Sequence, residues 1–447
     1  MNDSNVFADL AAETLNIVIS IGSILPYLAG FIAIIIASQT IWHRVRKSVD
    51  AGDSFNSLKT VTFGDESTVV SNKSASVLSV LLIFVLWGAF TGSQLLPGFL
   101  HVPGPFLGDG QFTYTADDGA GQVDTASVNV VVFAAGEKAG KPKIEAGDGF
   151  AANDAIAIQV YRSKLLLWDK NDDHKRKTGA SIVKVDGQAI SKGNAVDVGF
   201  ARVALTDKGT LNIVPHKGVQ MESIYLPSPE KVWNSLVNIS KDGYQNVTLG
   251  EHLGFSLWRV VMGFLIGALV GIPLGYAMGL SNWFRGWFDP VVEFMRPVPP
   301  LALIPLVIIW AGIGEEGKVV LLFLAALWIM AIAARSGVSG VRITKIHAAY
   351  SLGASKTQIL RHVIIPNSLP EIFTGARVAM GVCWGTVVAA ELVAAEKGIG
   401  KMIVAASKFQ NTDIVIMGII LIGLIGFAID VGIRLLEKYL VPWKGKG

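Results

Sequence analysis

Cysteine is nearly absent from the 447 residues: Cys383 stands alone, which excludes an internal disulfide framework and a cysteine-rich metal site. It lies in an apolar run, where a small packed thiol is the expected role. Charge is scarce too, at 16% against 51% hydrophobic residues, whereas soluble chains carry about 25% charged residues. The composition is that of a membrane protein. A formal net charge of +3 is too small to point to nucleic acid. The seven histidines form no cluster with metal-ligand spacing, and His252, His347 and His362 read as surface or interfacial polar residues. No G-x-x-x-x-G-K-[ST] phosphate cradle is present; Gly353-Ala354-Ser355-Lys356-Thr357 lacks the paired glycines that surround a phosphate. With no nucleophile–base arrangement either, the expectation is a non-catalytic chain without a metal or cofactor of its own.

What the sequence has in quantity is long apolar runs. The first, at 15–42, is too long for a signal-peptide core, and Asp3, Asp9 and Glu13 precede it where a signal would be basic. It is expected to span a membrane, with Arg44, Arg46 and Lys47 marking its cytoplasmic end. Further spans are expected at 77–96, 254–280, 301–313, 319–334, 376–395 and 413–436, seven in all. Arg285 and Arg296, the group Arg335, Arg342, Lys345, Lys356 and Arg361, and the C-terminal Arg434, Lys438, Lys444 and Lys446 then fall on one side, the cytoplasmic one.

Between the second and third spans the pattern changes. Pro97-Gly98 and Pro103-Gly104-Pro105 end the helix signal. Short alternating runs follow, such as Gln111-Phe112-Thr113-Tyr114-Thr115, Ala126-Ser127-Val128-Asn129-Val130-Val131-Val132 and Ser181-Ile182-Val183-Lys184-Val185, punctuated by Asp-Gly and Lys-Gly turns. They predict a β domain. The expected organisation is an extra N-terminal transmembrane helix at 1–48, a cytoplasmic linker at 49–76, a transmembrane helix at 77–98, a periplasmic β-rich insertion at 99–225, and a five-span core at 226–447 containing a cytoplasmic loop at 340–366. Two readings of the insertion stand side by side: an accessory domain, and a passive insertion that loops tolerate at small entropic cost.

The loop at 340–366 carries the strongest motif, His347-Ala348-Ala349-Tyr350-Ser351-Leu352-Gly353-Ala354-Ser355-Lys356, continuing to Pro366. It resembles the EAA motif of binding-protein-dependent ABC importer permeases: an alanine pair, a glycine four residues on, and an apolar-x-apolar-Pro ending. His347 stands where that motif has glutamate. Ala348, Ala349, Gly353 and Ala354 give a low-relief helix that a partner's cleft can enclose, with Gly353 permitting the turn. The plainer alternative is a basic loop whose glycine caps a helix. Further stretches, among them Leu226-Pro227-Ser228-Pro229, Gly271-Ile272-Pro273-Leu274-Gly275, Arg296-Pro297-Val298-Pro299-Pro300 and Ala389-Ala390-Glu391-Leu392, are similar to the nitrate, sulfonate and taurine branch of that family.

The resemblance implies an all-α polytopic membrane protein of the type I ABC importer permease fold; the inserted extracytoplasmic β domain expected from the alternating runs lies outside the resemblance. It implies the bacterial inner membrane and the partners of that architecture: a second permease copy, two cytoplasmic ATPase subunits that bind ATP and Mg, and a periplasmic solute-binding protein. The implied cargo is a small organic sulfonate, taurine first, with alkanesulfonate, nitrate and bicarbonate as alternatives. A secondary transporter and a membrane-anchored receptor are the competing classes; the former calls for paired broken helices and midplane ion sites. The implied ATPase-coupling residues are His347, Ala348, Ala349, Gly353, Ala354, Ser355, Lys356 and Pro366.

Arg259 and Glu391 are ionisable groups inside apolar segments, where charge faces a cavity or a countercharge. They read either as a mutual pair that shapes or gates the pathway, or as two side chains snorkelling separately to the interface. Asp430 and Arg434, spaced i, i+4, read as a local pair. Trp310, Trp328 and Trp384 read either as lining a path or, more plainly, as interface-anchoring or packing residues.

Overall fold

The structure, a computed structural model, describes residues 73–137, 139, 140, 142, 149–392 and 395–443, with a few helical positions between 29 and 41. Most of the expected N-terminal span and linker, Arg44, Arg46 and Lys47 among them, and Lys444 and Lys446 lie outside the described residues. Val77–Gly447 forms one compact unit.

Helix α1 (Lys73–Thr91) ends at Gly92, whose φ of +61° turns the chain out of the helix. Among the described residues nine strands follow in two sheets, ordered β3-β2-β1-β5-β6 and β4-β9-β8-β7. β1 (Gly108–Asp117) and β2 (Val123–Phe133) form a long antiparallel hairpin with Phe112 opposite Val128 and Tyr114 opposite Ala126. Strict alternation puts Phe112, Tyr114, Ala116, Ala126, Val128, Val130 and Val132 on one buried face, as a period of two requires. β3 (Asp154–Gln159) joins β2 in parallel. The short β4 (Lys164–Leu166) belongs to the other sheet, and β5 (Ser181–Val185) and β6 (Gln188–Ala189) complete the first. β7 (Val196–Asp197), β8 (Ala201–Leu205) and β9 (Leu211–Pro215) meander antiparallel in the second. Trp168, Val203, Leu211 and Ile213 meet the hairpin's apolar face in one core that contains only residues of this sandwich.

Inside that core the Tyr114 hydroxyl lies 3.4 Å from both Asp154 Oδ2 and Asp172 Oδ2. Burial, then the two carboxylates, pushes the Tyr114 pKa up, and burial raises that of Asp172.

A strut ties the sandwich to the helices. Met221 N–H donates to Phe90 O at 2.9 Å and Trp87 Nε1 to Pro227 O at 2.9 Å. Ser93 Oγ donates to Glu230 Oε2 at 2.7 Å at the start of α2 (Pro229–Asp242).

The helical bundle rests on α3 (Leu249–Leu280) and α6 (Glu315–Ser339). Glycines recur every fourth residue on α3, at 263, 267, 271, 275 and 279, and so line one face of the helix. A Cβ there would lie 2.4 Å from Leu322 Cβ at Gly263, 2.6 Å from Leu327 O at Gly271 and 2.3 Å from Ala331 O at Gly275. The two backbones therefore touch along their length, the small-residue packing that joins helices where the hydrophobic effect is weak.

Because the partners of the ladder advance with it, from Leu322 at Gly263 to Val338 at Gly279, α3 and α6 run in the same direction. The chain must then travel back between them. It does so through α4 (Asn282–Met295) and α5 (Ile304–Ala311), a pair bent by 97° with Pro297, Pro299 and Pro300 at the break. The straight span expected at 301–313 is thus corrected to the short second limb of a broken crossing, since consecutive prolines interrupt helix continuity.

The loop at 340–366 contains α7 (Ile343–Ser351) and α8 (Lys356–Ile359), and a π turn at Leu360–Ile364 runs into α9 (Ile365–Leu392). Lys356–Leu392 is one apolar stretch of 37 residues, so the span expected at 376–395 begins between about five and six turns earlier. α10 (Ile399–Lys408) and α11 (Thr412–Leu440) complete the described helices. Among the described residues four helices are long and apolar enough to cross a membrane, or five crossings with the bent pair.

Gly271→Leu should destabilise the full-length protein by more than about 2 kcal/mol through overpacking, seen as a lower thermal-unfolding midpoint in detergent. Gly254→Ala, where a Cβ meets nothing within 4 Å, should leave the midpoint unchanged or raise it.

Because the folded-state pKa of Asp172 is raised, its stabilisation is fully present below the ordinary carboxylate range and is lost as pH rises through the raised value. Asp172→Asn should therefore increase amide-exchange protection of β1 at pH 7, and the difference from wild type should shrink as the pH falls to about 4.

Candidate functional site

Helix α7 is exposed along its length, with no fully buried residue. Its end is closed by paired hydrogen bonds, Gly353 N–H to Tyr350 O at 2.9 Å and Ala354 N–H to Ala349 O at 3.1 Å. This is the Schellman arrangement, which needs a left-handed residue at Gly353, and φ there is +79°. No atom lies within 4 Å of a Cβ added at Gly353, so backbone conformation alone demands the glycine. The motif's spacing is in this respect that of a helix cap.

Ala349 and Ala354 pack toward Val338, Ile359 and Ile364, leaving His347 and Ala348 exposed. Leu352, 88% exposed at the apex, is an apolar knob that the motif comparison passed over. Ser355 then caps α8: its Oγ accepts from Gln358 N–H, and Gln358 Oε1 accepts from Ser355 N–H at 2.8 Å. Lys356 is the exposed first residue of α8, and the Pro366 carbonyl accepts from Trp443 Nε1 at 3.2 Å.

A second constellation lies at the opposite end of the bundle. The Arg259 guanidinium donates from Nη1 to Glu391 Oε1 at 2.7 Å and to Lys397 O at 2.8 Å. Nε and Nη2 form a fork on Glu315, at 2.5 and 2.7 Å, the bidentate geometry that makes arginine–carboxylate pairs strong. The side chains of Arg259 and Glu391 are 1% and 0% exposed. Glu391 also accepts from Ser256 Oγ at 2.7 Å and Gly400 N–H at 2.8 Å. A Cβ at Gly398, where φ is +142°, would fall on the Glu391 carboxyl group. Lys397 reaches Glu251 at 2.7 Å, and Arg259 and Lys397 both approach the Phe255 ring, at 5.6 and 5.3 Å.

The structure thus brings Arg259 and Glu391 together, and it adds Glu315, which depth alone did not single out because it begins a helix after Gly312-Ile313-Gly314. His252 corrects the surface assignment. It is 2% exposed and its Nδ1 accepts from Gly398 N–H at 3.1 Å, because α10's approach covers the first turn of α3. His347 and His362 are exposed.

Elsewhere, Asp430 and Arg434 pair at 2.7 Å. Trp384 donates to Ile422 O at 2.9 Å and so packs between helices. Trp310 is exposed, and Trp328 is half-buried. Arg335 pairs with Asp289 and reaches Glu293 at 2.8 Å, fastening α4 to α6.

An exposed, capped helix between long apolar crossings, with its buried charges gathered at the far end, is the anatomy of a transporter's membrane component. The chain belongs to the family of binding-protein-dependent transport system inner membrane components, whose model matches residues 267–441. It is a multi-pass inner-membrane permease subunit of an ABC importer and not itself an enzyme.

Among individual relatives, the taurine transport system permease protein of Escherichia coli is 46% identical over 224 residues, 50% of this chain and 82% of the relative. A putative aliphatic sulfonates transport permease protein of Escherichia coli is 41% identical over 218 residues, 49% of this chain and 81% of the relative. The nitrate import permease protein of a Synechocystis species is 32% identical over 230 residues, 50% and 84% of the two chains. The β sandwich lies outside the family match.

Removing either member of the buried pair, by Arg259→Met or Glu391→Leu, should cost about 3–5 kcal/mol, because each leaves an uncompensated buried charge. Exchanging them, Arg259→Glu with Glu391→Arg, should recover little of that stability, since the exchanged carboxylate would face Glu315. Thermal unfolding of the two single variants and the exchange measures both effects.

Proposed function

We propose that the chain forms the passage for a small organic sulfonate, with taurine the first candidate, in an ATP-driven importer. The supporting assembly is two copies of this permease, two cytoplasmic ATPase subunits that bind ATP and Mg, and a periplasmic binding protein that delivers the cargo. The observation that carries the importer reading is the capped, exposed helix Ile343–Ser351. Its exposed Ala348 and the apolar apex at Leu352 offer a partner domain something to grip. The cargo assignment leans on one relative named for taurine and one named for aliphatic sulfonates, both of which exceed the nitrate relative in identity.

Orientation follows from charge. Arg335, Arg342, Lys345, Lys356, Arg361 and Lys438 gather at the end of the bundle that carries α7, and the positive-inside rule assigns that end to the cytoplasm. The β sandwich, tied to the far end of α1 and to the start of α2, then stands in the periplasm as an accessory to the passage, and the extra N-terminal span at 1–48 begins outside. Nitrate is the second reading, favoured by the 32% identical relative; alkanesulfonate and bicarbonate are further alternatives of the same architecture.

Gly353→Val forces a β-branched residue to φ near +79°, a strain of about 1–3 kcal/mol at the cap. In proteoliposomes the variant should insert normally yet lose binding-protein-stimulated ATP hydrolysis and taurine uptake. Stimulation equal to wild type would remove the coupling role. Nitrate uptake by wild type, without taurine uptake, would replace the cargo.

A further inference from the structure

The Arg259 cluster contains one member unlike the rest. Arg259, Lys318 and Glu391 have side chains only 1%, 7% and 0% exposed, while the Glu315 side chain is 41% exposed. The two buried cations converge on it: the Arg259 fork at 2.5 and 2.7 Å, and Lys318 Nζ at 3.0 Å from Oε1. Arg259 and Lys318 balance Glu391 and Glu315. If Glu315 withdraws, the buried remainder carries a net charge of +1, which one monoanion neutralises.

Glu315 also has somewhere to go. A cleft of about 440 Å³ adjoins the fork, bordered by Phe255, Ile313, Glu396 and Lys397. The residues before it, Gly312 (φ +73°) and Gly314, leave the backbone at the start of α6 free of side-chain restriction. Carboxylate and sulfonate both offer two oxygens on one face to a guanidinium fork.

We infer that Glu315 is a built-in stand-in for the cargo's anionic group: the Arg259–Lys318 fork is an oxyanion subsite, and a cargo anion entering the cleft displaces the Glu315 carboxylate from it. Glu391 holds Arg259 in place whichever anion occupies the fork, which makes it a positioning residue. That the anion is a sulfonate rests on the function proposed above; the fork itself does not.

The test uses the full-length permease with its ATPase partner in lipid nanodiscs, titrated calorimetrically with methanesulfonate, nitrate and acetate. Glu315→Gln removes the competing charge at nearly constant shape, and methanesulfonate should bind about tenfold more tightly than to wild type. Adding Lys318→Gln should reverse the gain, and Glu316→Gln on the exposed neighbour should change nothing. Wild-type affinity for all three anions in a Glu315→Gln protein with unchanged melting would overturn the subsite and leave the cluster a structural ion pair. Should that variant fail to fold, Glu315→Asp keeps the charge but shortens its reach; an affinity gain supports the subsite and none overturns it. Tightening for nitrate or acetate without methanesulfonate keeps the subsite and removes the sulfonate. Taurine uptake by wild type scores the cargo independently.

Discussion

Contact between the backbones of α3 and α6 sets the position of everything else in the bundle. In lipid, packing and hydrogen bonding must supply what water-driven burial supplies elsewhere, and glycines at every fourth residue let the two helices meet without intervening side chains. The same face of α3 continues upward through Arg259 and Phe255. The ladder that joins the helices therefore also aims the guanidinium at the first turn of α6, where Glu315 and Lys318 lie. Parallel alignment has a second effect: the intervening chain must recross, and its proline-rich break gives the recrossing its sharp bend.

Much of this was legible before the fold was known. Alternation at 111–115, 126–132 and 181–185 marked residues that lie in β1, β2 and β5, because half-buried strands repeat every two residues. The parallel pairing of β2 with β3 was not legible, since some twenty residues separate the strands and no local signal sets their direction. Apolar length placed the long helices but misjudged the 301–313 crossing, where hydropathy cannot register a bend. The recurrence of glycine from 263 to 279 was present as a G-x-x-x-G repeat and could have identified the α3 face.

At the charged cluster, depth in an apolar segment was enough to single out Arg259 and Glu391. Glu315 escaped because it follows two glycines and so resembles a loop charge, and His252 because its burial depends on α10, which arrives from nearly 150 residues away. Local sequence carries no record of such arrivals. The loop at 340–366 was more transparent: one helix cap, one glycine and one N-cap serine fix its shape within a dozen residues, and all of those signals are local.

The continuous stretch Lys356–Leu392 starts beside the exposed α7 and finishes at Glu391. At 1.5 Å per residue it is a rod of roughly 55 Å, with the π turn and Pro370 both near its α7 end. The exposed α7 end and the buried carboxylate are thus joined by a single covalent shaft, with a π turn and a proline near one end and a salt-bridged socket at the other.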